Sequence, residues 1–563
     1  MTPIQISRRR LLSGAAKAAA ACSLFTTRLA KALSLNPELL PETTLASDPR
    51  RPQFHLLPAR NWMNDPNGPI FWKGRYHMFF QYNPHAAVWG DMHWAHAISP
   101  DMIHWKHLPV ALAPTPGGPD SEGCFTGTCV VHDGVPTLIY TGVQNMPPER
   151  IEAEATLRDG HNNFKETQLY ATSSDPELRT WTKRPTPVIP TPPPGMKVTG
   201  FRDPAPWREP ALYPEGWLMA VGSGTKERGG CVLLYKSKDL ENWEYLHPVA
   251  GGVETGSNTT NPVDSGDMWE CPDLFPLGNK HVLIYSTQGK VFWQAGTLTA
   301  PDLVFKEEQS GMLDYGSFYA PKTQLDKQGN RILWGWIPET RPEAEFSASG
   351  WAGLMSLPRV LTLGPDGRLR IGIAPIAQKL RQHEQKLLLK PKEAGSQELR
   401  SDQTLKATCG EILCQLKPNP HSEFAPFSFD LIPRMLPLPH PPASSKPPVD
   451  PSSVTLTANY GEVEETFLSI RYSHANPKEI VVDQQRLSIA LADGEPLELH
   501  LYIDGSVIEL FVNNQTTYTK RFYYPYRTAT APEIAVDITG NQADITRLSL
   551  WQLTPISKDR LTT

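Results

Sequence analysis

Cysteine is scarce in this chain, seven among 563 residues, which excludes a fold built on a dense disulfide framework. Cys124 and Cys129, like Cys409 and Cys414, stand five positions apart, so each pair falls on opposite faces of a strand. No spacing suits a zinc site, and Cys124, Cys129, Cys231, Cys271, Cys409 and Cys414 are expected to be buried free thiols. An excess of one charge is also missing. Lys and Arg number 54 against 59 Asp and Glu, a formal net charge of -5, too balanced to attract a nucleic acid. No apolar stretch is long and uninterrupted enough for a membrane-spanning helix. What the chain has is length, which outgrows a single hydrophobic core and predicts at least two domains.

Residues 1–32 read as a targeting segment. In "SRRRLLSGAAKAAAACSLF", Arg8 and Arg9 precede a small-residue, mildly apolar stretch interrupted by Lys17, a pattern that resembles a twin-arginine export signal. Ala30-Lys31-Ala32 offers a cleavage site, so the mature chain is expected to begin near Leu33, in the periplasm or outside the cell. Cys22 follows four alanines but lacks the leucine of a clear lipid-attachment motif. Twin-arginine substrates fold before export in a reducing cytosol, consistent with free thiols.

Short apolar runs recur with a similar tail. "YHMFFQYN" leads to "HWAHAISPDMIHWKHLP", "TLIYTG" to "QLYATSSDPELRTWTKRP", and "GWLMAVGSG" to "CVLLYKSKDLENWEYL". "HVLIYSTQ" and "RILWGWIPE" open two further units. Each unit reads as a strand, a loop, a strand, an Asp-bearing turn, and a strand opened by Trp or Phe. Antiparallel repeats of this length predict propeller blades, five of them, over residues 50–370. Asp101, Asp175 and Asp239 are expected to form turns, and Trp105, Trp181 and Trp243 to pack the blades.

After Arg370 the texture changes. Residues 371–384, which take in most of "PIAQKLRQHEQK", read as a linker or short amphipathic helix. From 385 to 555, alternating runs such as "EIVVDQQRLSIAL" predict a β-sandwich. The fold class is therefore all-β. Within the sandwich, residues 418–451 carry eleven prolines and are expected to be an extended loop rather than a sheet interior.

Three acids sit near the starts of repeat units: Asp65 in "WMNDPNGP", Asp203 in "GFRDPAPW" and Glu270 in "DMWECPDLFP". If the blades radiate from one axis, their innermost strands bring these acids into one funnel. Two facing carboxylates are what glycoside cleavage needs, one as nucleophile or base and one as proton donor. Trp62, Trp89, Trp207 and Trp269 lie near them, and indole faces suit sugar C–H surfaces. Residue type alone leaves each acid two readings. Asp-Pro is a common turn, and Arg202-Asp203 could be a local ion pair.

"WMNDPNGP", "FQYNP" followed by "WG", "FRDP" and "WECPD", in this order, resemble glycoside hydrolase family 32, the family of invertases, levanases, inulinases and related fructosyltransferases. The resemblance spans nearly the whole mature chain and implies a five-bladed propeller followed by a β-sandwich. It implies Asp65 as nucleophile, Glu270 as acid/base and Asp203 as a stabiliser of the fructosyl hydroxyls. Asn64, Gln81, Trp89 and Arg202 match positions lining the fructosyl pocket. "CFTGT" departs from the family's usual Phe-Ser-Gly or Tyr-Ser-Gly, so Phe125 and Thr126 carry over with an added methyl. Asp273, Tyr315 and Trp336 look like outer-pocket residues, although packing would also explain the two aromatics. Such chemistry needs no cofactor and no metal. His93, His96, His104 and His107 have no supporting carboxylate pattern and read as structural.

The implied activity is that of a retaining β-fructofuranosidase acting on sucrose, levan or inulin. A fructosyltransferase shares its first step, and a silent sugar-binding protein is the rival from another class. The export segment carries its own prediction. Replacing both Arg8 and Arg9 with Lys leaves the chain in the cytoplasm, as fractionation and immunoblotting will show. Continued export of the Lys-Lys variant assigns the segment to a general secretory route.

Overall fold

The five apolar runs are second strands: Arg75–Asn83, Val135–Asn145, Trp217–Thr225, Lys280–Thr287 and Arg331–Ile337. Their burial on both faces, complete along Trp217–Thr225, explains why they read as near-continuous apolar runs rather than alternating ones. Each pairs with an innermost strand, respectively Asn61–Trp72, Gly123–His132, Gly200–Trp207, Glu270–Leu277 and Tyr319–Leu325. These innermost strands touch one another in a closed ring, the first against the last. Five blades (I–V) of a propeller result. One segment closes the ring: Trp351–Ala352 runs parallel to Asn61 and Trp62 of blade I, and Leu354–Met355 pairs with Trp336 and Ile337 of blade V.

The computed structural model describes residues 41–145, 164–225, 227–252, 261–392, 398–401, 404–406, 409–417, 427–434, 466–473, 476–523, 533–539 and 545–557. The expected export segment, including Arg8, Arg9 and Cys22, lies outside the described residues, as does the proline-rich string 436–451. Glu42–Thr563 forms one compact unit.

The Asp-bearing turns are built alike. Asp101, Asp175 and Asp239 each accept backbone N–H groups from the next few residues. The Trp105, Trp181 and Trp243 indoles donate to the carbonyls of Met102, Leu178 and Leu240. Those three carbonyl-bearing residues take left-handed backbone, with φ of 71°, 57° and 62°, and bury their side chains. The acids are turn formers and the indoles clamp the turns to the blades.

Residues 385–555 form the expected sandwich, with two adjustments. The last blade strand runs to Ile373, only Pro375–Leu380 (a 3-10 turn) connects the halves, and the first sandwich strand is Arg381–Lys386. Within 418–451, Phe427–Arg434 is not a loop but a strand. It lies between Glu533–Thr539 and Leu468–Tyr472 inside an eight-stranded sheet. The alternating apolar Phe427, Phe429 and Leu431, buried in the sandwich core, outweigh Pro433 near the strand's end. The opposing sheet has six strands, and its Leu499, Leu501, Ile508 and Leu510 fill the same core. The six cysteines among the described residues are buried, and none forms a disulfide with another of them.

Buried charges join the halves. Sandwich residue Asp504 accepts the N–H groups of Gln53, Phe54 and His55, and its Oδ2 lies 2.8 Å from His55 Nδ1. Glu509 Oε1 lies 2.9 Å from His55 Nε2, while its Oε2 accepts Arg359 Nη2 at 2.6 Å. Arg359 also bonds Asp314 at 2.8 Å, and Asp314 accepts Thr517 and Thr519 hydroxyls of the sandwich. The His55, Asp504, Glu509, Arg359 and Asp314 side chains have no exposure. Burial alone lowers the His55 pKa, but its bonds to Asp504 and Glu509 overcome this and raise it to about 9.

A raised histidine pKa favours the native state while the ring is charged. That stabilisation is complete below the unfolded value near 6.5 and fades as pH rises through about 9, a loss on the order of 3 kcal/mol. The wild-type melting temperature is expected to fall across this window. A His55→Gln variant should melt lower at pH 6 and show a flatter profile, measurable by calorimetry.

Candidate active site

All five innermost strands break register at one level. The skipped pairs lie between Met63 and Pro66, Cys124 and Gly127, Glu270 and Asp273, and Tyr319 and Lys322; in blade III the break spans Arg202 to Ala205. Each break is a β-bulge, a device that re-aims side chains at a strand's rim. Four bulges contain or end on proline: Asp65-Pro66, Asp203-Pro204, Cys271-Pro272 and Ala320-Pro321. Proline lacks the N–H that a ladder would require, so the missed pairing leaves no orphan donor there. Blade II has Gly127 instead, where a Cβ would meet the Ile139 carbonyl at 2.2 Å. Asp203, Cys271 and Ala320 sit at φ of 65°, 48° and 50°, a strained conformation for non-glycine residues.

The bulges open onto a funnel of about 710 Å³ lined by Asp65, Asp203 and Glu270 together. Asn64, Gln81, Thr126 and Arg202 line it as well, with the aromatic side chains of Trp89, Phe125, Tyr315 and Trp336. Trp89 is 48% exposed and meets Phe125 edge-on.

Asp65 is held by a directed chain. The Trp62 indole donates to Asn64 Oδ1 at 2.8 Å, and Asn64 Nδ2 donates to Gln81 Oε1 at 3.1 Å. Gln81 Nε2 donates to the Thr126 hydroxyl at 2.7 Å, which in turn donates a hydrogen bond to Asp65 Oδ2 at 2.6 Å. Asn64 Nδ2 also lies 3.1 Å from Asp65 Oδ1. The hydroxyl is the working part of Thr126, and the extra methyl leaves its bond to Asp65 intact. Burial raises the Asp65 pKa. The hydrogen bonds from Thr126, Asn64 and Cys271 oppose that rise, and the charge of Glu270 adds to it.

Asp203 Oδ2 accepts the Cys271 N–H at 2.8 Å, with Cys271 Sγ 3.6 Å away and also 3.5 Å from Asp65 Oδ2. Burial is the main cause that lifts the Asp203 pKa to about 7. Arg202 pulls it down, and Glu270 and Asp65 push it up. Glu270 is gripped on both oxygens. Oε1 accepts Arg202 Nη2 at 2.7 Å and Nε at 3.2 Å, and Oε2 accepts the Tyr319 hydroxyl at 2.7 Å.

Asp273 does not line the funnel. Its Oδ2 accepts the Thr323 N–H and hydroxyl at 2.7 Å each and so ties the innermost strands of blades IV and V. Tyr319 and Cys271 are site residues the sequence reading missed. Aligning the units on their x-Pro dipeptides would have found both. The sandwich contributes Tyr518 and Gln485 to the funnel wall, a contribution with no motif. His93, His96, His104 and His107 are spread out, bonding respectively the Asp91 carbonyl, His77, Asp101 and the Leu57 carbonyl.

A propeller whose funnel gathers three carboxylates, one of them clamped by arginine and tyrosine, defines a glycoside hydrolase. Residues 55–374 match the model of the glycosyl hydrolases family 32 N-terminal domain and residues 378–552 that of the family 32 C terminal; the chain belongs to glycoside hydrolase family 32. It is 34% identical over 502 residues to a sucrose-6-phosphate hydrolase of Zymomonas mobilis, covering 83% of this chain and 84% of that one. A raffinose invertase of Escherichia coli is 39% identical over 338 residues, 56% of this chain and 63% of the relative. Among solved structures, a Bombyx mori GH32 β-fructofuranosidase superposes with a TM-score of 0.69 at 25% identity, covering 91% and 96% of the two chains.

A carboxyl raised to about 7 in the fold binds a proton that the unfolded chain releases near pH 4, so native stability declines as pH rises between these values. Asp203→Asn removes the ionisable group. The variant is expected to be more stable than wild type by on the order of 2–4 kcal/mol above pH 7 and equal to it near pH 4. Denaturant unfolding at the two pH values checks this.

Proposed function

We propose that this chain is an exported, retaining β-fructofuranosidase that hydrolyses terminal fructosyl linkages of sucrose and fructans. The observation that carries the reading is the pairing of two differently held carboxylates in one funnel. Asp65 is aligned by the Thr126 hydroxyl, and Glu270 is oriented by Arg202 and Tyr319. Asp65 attacks the anomeric carbon of the fructosyl unit while Glu270 protonates the departing oxygen. Glu270 then takes a proton from water, which releases fructose from the ester on Asp65. Asp203 holds ring hydroxyls as the sugar flattens toward the oxocarbenium ion, where its contribution counts most.

Charge favours a neutral sugar over a phosphorylated one. The described lining has Asp65, Asp203, Asp264 and Glu270 against only Arg202 and Lys290, and Arg202 is engaged by two carboxylates. A phosphate group wants converging free cations. A fructosyltransferase would use the same first step and differ only in passing the fructosyl group to a sugar.

Incubation with sucrose should release glucose and fructose in equal amounts, the fructose first appearing as the β-anomer by NMR. Excess glucose with oligosaccharides would assign a transferase, and cleavage confined to sucrose 6-phosphate would overturn the neutral-sugar reading. Glu270→Ala should lose roughly 10²–10⁴-fold in kcat on sucrose. It should lose far less on a fructoside with an activated aryl leaving group, with azide speeding turnover and yielding fructosyl azide.

A further inference from the structure

The tripeptide Phe201-Arg202-Asp203 enters the site from blade III, yet blade II fixes it. Glu166, on blade II strand Phe164–Thr172, accepts the Phe201 N–H on Oε2 at 2.7 Å and Arg202 Nη1 on Oε1 at 2.9 Å. Gln168, two residues on and therefore on the same face of the strand, donates to the Phe201 carbonyl at 2.9 Å. Thr141 of the neighbouring strand accepts the Asp203 N–H at 3.0 Å and donates to Gln168 Oε1 at 2.9 Å. The latch spans the residue that grips Glu270 and the one held at φ 65°.

Glu166 does not line the funnel, and its side chain is 2% exposed, so it cannot touch substrate. What it reaches is the guanidinium. Arg202 presents Nη1 to Glu166 and its Nε/Nη2 edge to Glu270. A planar fork held at one corner by a buried carboxylate has its other edge fixed in direction, which a flexible cation would not. Phe201 N–H anchors Glu166 in turn, so the orientation runs from main chain to Glu166 to Arg202 to Glu270.

We propose that Glu166 is a positioning residue for the reaction: acting through Arg202, it sets the direction in which Glu270 delivers its proton to the leaving group. This rests on the β-fructofuranosidase reading above. A buried ion pair that served folding alone would lower stability when broken and leave the kinetics of the folded fraction unchanged.

The test is Glu166→Gln, which keeps an acceptor for the Phe201 N–H and discharges the partner of Arg202. On sucrose, whose leaving group needs protonation, kcat per folded enzyme should fall about ten- to a hundredfold with KM changed less than about threefold. On an activated aryl β-fructofuranoside the loss should stay under about threefold. In an Arg202→Met background, Glu166→Gln should cost nothing further in kcat, because its route to Glu270 is already cut. That double variant, in which both members of the Glu166–Arg202 pair are replaced, also serves if Glu166→Gln alone does not fold. Equal losses on both substrates, an effect on KM alone, or a full additional loss in the Arg202→Met background would overturn the proposal. Wild-type enzyme inactive on both substrates would overturn the functional reading itself, and the inference with it.

Discussion

One bulge, repeated in every blade, sets the three acids and the residues beside them at the funnel. Aligned on the x-Pro dipeptide of blades I, III, IV and V, with Gly127 in the proline's place in blade II, the residues two and one before that position form two corresponding sets. Asn64, Phe125, Arg202, Glu270 and Tyr319 make the first. Asp65, Thr126, Asp203, Cys271 and Ala320 make the second. The acids do not occupy equivalent places: Asp65 and Asp203 belong to the second set, and Glu270 to the first, beside Arg202 and Tyr319. That offset gives two carboxylates whose chemistry can differ. Asp203 is buried with a main-chain donor, while Glu270 keeps 20% of its side chain exposed and is held by side-chain donors. Different surroundings for paired carboxyls are how a site separates their roles.

Much of this was legible in the sequence, for a physical reason. The second strands are buried on both faces, so they leave apolar runs that count the blades, and the Asp-bearing turns leave a second mark after each. Asp65, Asp203 and Glu270 were visible because each lies near a turn-like Asp-Pro or Cys-Pro string. The bulge equivalence was not read, since its repeated signature is a dipeptide. Asp273 was placed in the outer pocket by the resemblance of its motif, and nothing local marks its bonds to Thr323 on blade V. Glu166 lies in "FKETQLYAT", an ordinary strand whose partners are in another blade, and nothing local marks it. Phe427–Arg434 was hidden by the prolines around it, although its own alternation is that of a core strand.

The sandwich is part of the funnel's construction rather than an appendage. The N–H groups of Tyr315 and Ser317 bond the carbonyls of Thr517 and Thr519 on the sheet's edge strand, so the loop leading into blade V is laid against the sandwich as a short extra strand. Gly316 is required there, since a Cβ would meet the Thr519 carbonyl at 1.9 Å. Tyr315 is thereby set in the funnel wall, with Tyr518 and Gln485 of the sandwich beside it. Four residues after Tyr315, the innermost strand of blade V opens on Tyr319, the donor to Glu270. A shift of the sandwich would move both the outer wall and one of the two groups that orient Glu270.

The buried charges between the halves make sense in that light. Ion pairs removed from water are poor at adding net stability, yet breaking one by removing a partner is costly. His55, Arg359, Asp314, Asp504 and Glu509 accept and donate across the junction with little tolerance in distance, whereas an apolar interface could slide. Asp314 is two residues from Gly316, so the charge network fixes the very loop that carries Tyr315. The site needs such support because its own parts oppose folding. Asp203 and Cys271 have left-handed backbone, and Asp203 and Asp65 are carboxyls that burial drives toward the protonated form. Three acids can share one funnel only while the surrounding frame forbids them to move apart. Directional bonds provide that frame where they matter: the Trp62-to-Asp65 chain, the blade II latch on Phe201-Arg202-Asp203, and the charge network behind Tyr315.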